Sequence, residues 1–234
     1  MNGSALLALQ ILDTQLDQLA GERRRLPERA VLAAATAQLD SWKAADARLR
    51  GAIATAVEVI TEAERQGATL DAKRSRLDAQ LRTVSNERQA DALTHEIATL
   101  VQQHSELDDR ELAAMEAQAE AEAALEELTS NRDRLAAAVD EATADLERAL
   151  GRIAAEEAEV NRRRPDAVAA LTDAELALYT TLRTRFGGVG ITQLEGRRCG
   201  GCHLDLSASE ADQVHRAPAD ELPECPHCGR LIVR

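Results

Sequence analysis

Aromatic side chains are nearly missing from this chain of 234 residues: Trp42, Tyr179 and Phe186 are the whole supply, 1% of the composition. Large globular cores draw on aromatic bulk, so bulk burial in a compact α/β domain is not expected. Lysine is almost as scarce, with Lys43 and Lys73 alone, and every other basic residue is arginine. That bias fits a high-GC coding sequence. No run approaches eighteen consecutive apolar residues, so no membrane span is expected. The opening stretch MNGSALLALQILDTQL has neither a basic n-region nor a small-residue cleavage site, which reads as a cytoplasmic chain with reduced thiols. Basic residues are outnumbered, 28 against 41 acidic ones, for a net charge of −13. Wholesale wrapping of nucleic acid is excluded by that balance, and any such contact must be local.

Alanine and leucine spread among 29% charged residues make the composition of a long helix or coiled coil. From Leu9 to Val160 the apolar residues recur at spacings of three and four, the seam of a supercoiled helix pair. A first piece reads Leu9, Leu12, Leu16, Leu19 and ends near Gly21, with Pro27 placed as the first residue of a new helix. The second piece carries Leu39, Trp42, Leu49, Ile53, Ala56, Ile60, Ala63, Gly67, Leu70, Leu77 and Leu81. Cap-forming residues at Thr83 to Asn86 mark a hairpin tip. The stripe then returns through Leu93, Ile97, Leu100, His104 and Leu107, and later Leu125 to Val160, stopping at Pro165 without an internal glycine or proline before Gly151. The two arms match to within one residue, and a short connection makes them antiparallel neighbours. Trp42 reads as core, and His104 and Arg132 as polar seam positions that fix register. Whether the first helix joins the far end of the pair as a third member is left open.

After Pro165, Thr172 and Glu175 form a capping box for a helix carrying Leu176, Leu178, Tyr179, Leu182 and Phe186, which Gly187-Gly188 ends. Val189 to Leu194 reads as a strand, Ser207 and Glu210 as a second capping box for a helix to about Arg216, and Leu222 to Glu224 and Leu231 to Val233 as further strands. The whole is mainly α: an antiparallel coiled-coil hairpin over 1–165, broken near 21–27 and turning near 83–86, then a connecting helix and a small β-rich module over 166–234. That module holds all four cysteines of the chain, Cys199-Gly200-Gly201-Cys202 and Cys225-Pro226-His227-Cys228. Two Cys-x-x-Cys pairs at this separation match a four-thiolate Zn²⁺ site. With all four positions filled by protein, the metal is structural. Gly229 is placed to adopt the positive φ that folds the turn under the metal, and Gly200 and Gly201 are assigned the same role in the first pair. The rivals are a disulfide pair, which needs an oxidising compartment, and thioredoxin-type redox chemistry, for which the chain after Cys228 is too short. His203, His215 and His227 read as solvent-facing or hydrogen-bonded ribbon residues.

On Cys199 to His203, Cys225 to Arg230 and the hairpin segment from Val84 to Leu100, the chain resembles the bacterial C4-type zinc-ribbon proteins with a long N-terminal coiled-coil hairpin. The resemblance implies one structural zinc on Cys199, Cys202, Cys225 and Cys228. For members in flagellated bacteria it also implies adaptor roles, with an alternative sigma factor or secretion parts contacted through the coil and RNA through the ribbon.

Three functions follow for weighing. A non-enzymatic adaptor uses the coil as a helical surface for protein partners, and the composition favours it. A nucleic-acid-binding ribbon uses a candidate patch of Arg183, Arg185, Arg197, Arg198 and Arg230 on phosphates. Against it stand five arginines facing seven acids from Gly187 onward, and no aromatic stacking residue there. Catalysis is the weakest reading: no nucleophile, base and orienting group cluster in sequence, and no glycine loop cradles phosphate. No small-molecule substrate is expected.

Overall fold

The structure is a computed structural model that describes residues 1–218 and 221–234. It is mainly α, with an antiparallel coiled-coil hairpin and a small C-terminal sheet. The chain divides into two compact units, one of residues 31–142 and one joining residues 1–30 to 143–234.

The hairpin unit is built from α2 (Glu28–Leu81) and α3 (Glu87–Thr129). The turn between them falls where the cap residues predict, and the Asn86 side chain accepts from the Arg88 N–H to start α3. Along α3 the shielded positions run 93, 97, 100, 104, 107, 111, 114, 118, 121, 125 and 128, an unbroken alternation of fours and threes. His104 lies on this seam opposite Gly67. Its ring nitrogens stand 3.1 Å from Asp108 on its own helix and 3.5 Å from Asp71 on α2, so one imidazole ties the helices. Arg132, expected on the seam, is exposed.

The second arm is not one helix. It breaks at Ser130-Asn131, and α4 (Arg132–Ala169) begins beyond. Carbonyls that lose their i+4 donors there find side chains instead: Thr129 Oγ1 donates to Glu126, Ser130 Oγ to Glu127, and the Trp42 indole N–H to Leu128 at 2.8 Å. Trp42 is therefore half-buried core with a specific hydrogen-bonding task. At the other end α4 does not stop at Pro165 but runs through it to Ala169. A proline inside a helix removes one donor and costs about 3 kcal/mol. Packing offsets this, because Ala167, Val168 and Leu171 beyond it join the apolar core.

The second unit explains where the N-terminal helix goes. α1 (Gly3–Arg24) continues past Gly21, and Pro27 lies in the turn just before α2 rather than inside it. Leu12, Leu19 and Leu26 pack with Ile153 and Val160 of α4, while Leu6 and Leu9 pack with Tyr179, Leu182, Ile191 and Leu231. Each fully buried side chain of this size contributes about 1.5–3 kcal/mol. α5 (Asp173–Arg185) and α6 (Ala208–Arg216) both start at the expected capping boxes, Thr172/Glu175 and Ser207/Glu210. The sheet has the order β2-β1-β3, with β1 (Ile191–Glu195) antiparallel to β2 (Arg198–Cys199) and parallel to β3 (Leu231–Val233). Leu222 to Glu224, expected as a strand, contributes a single bridge from Glu224 to Leu231.

Two buried polar side chains on α1 join these elements. The Gln10 amide oxygen accepts from the Gly190 N–H at 2.8 Å and its nitrogen donates to the Gly188 carbonyl at 2.8 Å, fixing the entry into β1. Asp13 pairs with Arg164 of α4 at 2.8 Å and Arg183 of α5 at 2.6 Å, and accepts from the Tyr179 hydroxyl at 2.7 Å. Burial alone raises the Asp13 carboxyl, but hydrogen bonds from Arg164 and Tyr179 outweigh it and hold it below the usual range.

Candidate metal centre

The two cysteine pairs fold into matching turns. In the first, Cys199 N–H donates to Leu204 O and His203 N–H donates back to Cys199 O. In the second, Cys225 N–H donates to Arg230 O and Gly229 N–H to Cys225 O, at the same offsets along the chain. The fourth residue after the leading cysteine takes a left-handed conformation in both, at φ 60° for His203 and 74° for Gly229. Gly229 thus does what its sequence position predicts. Gly200 and Gly201 do not; neither has a positive φ, and His203 carries the strained position in the first turn. The first pair needs glycine for closeness instead, since a Cβ on Gly201 meets the Arg230 Cδ at 2.5 Å and one on Gly200 meets Thr192 Oγ1 at 2.9 Å.

These turns bring Cys199, Cys202, Cys225 and Cys228 together with all four sulfurs within 4.8 Å of one another. Zinc–sulfur bonds of about 2.3 Å in a tetrahedron separate the sulfurs by about 3.8 Å; Cys202 Sγ and Cys225 Sγ stand 3.9 Å apart. The donor set and its spacing fit Zn²⁺, and the C4 ribbon holds one structural zinc. Leu194, Leu206, Ala211, Val214 and Ile232 pack with the buried Cys199 and Cys225, while Cys202 and Cys228 are partly exposed at the edge of this core. Burial pushes the Cys225 thiol up to about 12. Burial also opposes ionisation at Cys228, yet hydrogen bonds from the backbone and side chain of Arg230 and from neighbouring thiols pull it down to about 7. Arg230 therefore favours the Cys228 thiolate, while the buried Cys225 thiol needs the metal to displace its proton.

The five candidate phosphate-binding arginines separate by environment. Arg183 is held by Asp13 and by Asp17 at 2.6 Å. Arg230 donates to Val189 O at 2.8 Å and lies over the Phe186 ring at 5.1 Å. Arg185 covers the same ring at 5.2 Å, and Arg198 donates from Nε to His203 O, supporting the left-handed turn. Arg197 is exposed beside the first pair. His203 and His227 are exposed as expected, and His227 stands 4.0 Å from Glu210 at the start of α6. Arg234 is a supporting residue that the sequence does not flag: it donates to Ala217 O and Pro218 O beyond α6.

A CT398-like coiled coil hairpin domain matches residues 9–187, and a C4-type zinc ribbon domain matches residues 198–232. Two Mycobacterium tuberculosis proteins, MT2288 of strain CDC 1551 / Oshkosh and Rv2229c of strain ATCC 25618 / H37Rv, are each 30% identical over 242 residues. The match covers 98% of this chain and 94% of the relative. A solved structure from Mycobacterium smegmatis has a TM-score of 0.83 at 26% identity, covering 100% of this chain and 99% of that one. CT398 from Chlamydia trachomatis has a TM-score of 0.78 at 20% identity, covering 98% and 95%; at that identity the likeness is one of fold.

Proposed function

We propose that this chain, which belongs to the family of CT398-like coiled-coil hairpin proteins with a C4-type zinc ribbon, is a non-enzymatic cytoplasmic adaptor that offers its hairpin to protein partners. The supporting observation is the closed four-sulfur cluster. A zinc held by four protein ligands has no position open to water or substrate, so its task is to hold the ribbon against α1, α4 and α5. The hairpin supplies long helical faces of the kind that partner helices pack against, and no helix among the described residues is long and apolar enough to cross a membrane. A nucleic-acid role for the ribbon is the second reading. It is weakened because Arg183 and Arg230 spend their donors inside the protein, which leaves Arg185, Arg197 and Arg198 for phosphate.

The test is binding of the purified protein to random RNA and DNA across salt concentrations, alongside photo-crosslinking in cells from residues on α2 and α3. The adaptor reading expects protein crosslinks from the hairpin and no nucleic-acid retention at low salt. Nucleic-acid affinity that falls with salt and disappears in Arg197→Ala/Arg198→Ala, without hairpin crosslinks, reverses the conclusion in favour of the ribbon.

A further inference from the structure

Between Leu107 and Leu125 the chain puts its large apolar side chains on the wrong face of α3. The shielded seam there is Glu111, Ala114, Gln118 and Ala121, while Leu112 and Met115 are 59% and 50% exposed, with Val101 at 46%. In heptad terms Val101, Asp108 and Met115 are e positions and Leu112 is the adjoining b, so Leu112 and Met115 sit side by side about 100° from the seam, with Val101 on the same face beyond Asp108. Val57, 44% exposed, takes the e position of α2. In a sequence where alanine fills most apolar positions, Leu112 and Met115 form an unpartnered apolar patch that Val101 and Val57 extend on the e-side of the hairpin, with Ser105 and Asp108 crossing it.

Charge identifies the occupant. Between Glu106 and Glu127 there are nine acidic residues and one base, Arg110. By helical phase Asp109 and Glu116 border this face on the side away from the seam, with Glu120 and Glu127 beyond them, Glu111 borders it on the seam side, and Asp108 and Glu122 lie on the face itself. Among the described residues, Asp109, Glu116, Glu120 and Glu127 form no ion pair. Such a surface repels RNA, DNA and anionic lipid, and pairing it with the same face of a second copy sets acid against acid. What it complements is an amphipathic helix with an apolar stripe and flanking Lys or Arg. From Val101 to Met115 this face runs about 21 Å, or four turns of such a helix.

We propose that the Val101–Leu112–Met115 face of α3 is a docking site for a basic amphipathic helix of a partner protein. This rests on the adaptor reading and specifies its surface and its partner's chemistry. The experiment uses the full chain and a labelled 18-residue helical peptide with leucines on one face and arginines on both flanks. Its control is a peptide of identical composition scrambled to lose the stripe, read by fluorescence anisotropy. The amphipathic peptide binds. Leu112→Ala/Met115→Ala weakens it about tenfold or more, and Glu116→Gln/Glu120→Gln flattens its salt dependence. Alanine is a strong helix former, glutamine matches glutamate in helix propensity and the replaced side chains are exposed, so both variants keep the parent melting temperature. Equal binding of the scrambled peptide, or full affinity in the Leu112→Ala/Met115→Ala chain, overturns the site. Self-association abolished by Leu112→Ala/Met115→Ala, seen by sedimentation without peptide binding, overturns it in favour of a second copy. Hairpin crosslinks to cellular proteins that survive Leu112→Ala/Met115→Ala sink this site while leaving the adaptor reading standing.

Discussion

Asp13 shows how much one residue can join. Its carboxylate, only 5% exposed, receives Arg164 from α4, Arg183 from α5 and the Tyr179 hydroxyl. Removing one partner of a shielded ion pair leaves the others uncompensated, at a cost of about 3–5 kcal/mol when burial is complete. Because both arginines keep part of their surface in water, we expect Asp13→Ala to lose about 3 kcal/mol, measured by urea denaturation. The pH dependence follows from the depressed carboxyl. Its stabilisation is present above the ordinary Asp value of 3.8 and is lost as pH falls through the lower folded value. Acid unfolding below about pH 4 should therefore flatten in Asp13→Ala, and an unchanged acid limb contradicts the network. Nothing in the sequence marked Asp13 or Gln10, because a polar residue inside an amphipathic helix looks the same whether it faces water or a distant arginine. The cysteines were legible for the opposite reason: their chemistry requires close spacing along the chain. His203 was hidden even there, since its left-handed turn is dictated by the partner carbonyls and not by its own type.

At the scale of elements, the heptad pattern carried the hairpin and its turn, and both capping boxes appeared where Thr172/Glu175 and Ser207/Glu210 place them. Most departures in the helices are at their ends, while in the ribbon the expected strand over Leu222 to Glu224 contributes a single bridge. Seam periodicity continues across Ser130-Asn131, so the break is invisible to pattern and becomes readable only once Trp42 is seen reaching Leu128. Pro165 is a stop signal by local rules, overridden by the packing of Ala167 and Val168. Trp42→Phe keeps the apolar ring but cannot donate, so we expect a loss of about 1 kcal/mol in hairpin stability, followed by thermal melting of far-UV ellipticity. A melt identical to the parent chain would mean the indole hydrogen bond does not hold the joint.

For the molecule as a whole, one compact unit joins the first thirty residues to the last ninety-two. That arrangement follows from α1: its leucines have no seam partner of their own and are buried only against α4, α5 and the sheet. The ribbon's own apolar core is small, consisting of Leu194, Leu206, Ala211, Val214 and Ile232 around the sulfurs. Metal binding supplies about 10–16 kcal/mol to comparable small modules, so the ribbon's order depends on the ion while the hairpin's does not. The direct measurement is zinc content by elemental analysis combined with hydrogen exchange before and after chelation. One zinc per chain is expected, with chelation or Cys225→Ser exposing the amides of residues 191–216 and 225–233 while those of 31–142 stay protected. A fully protected ribbon in metal-free protein would contradict the account.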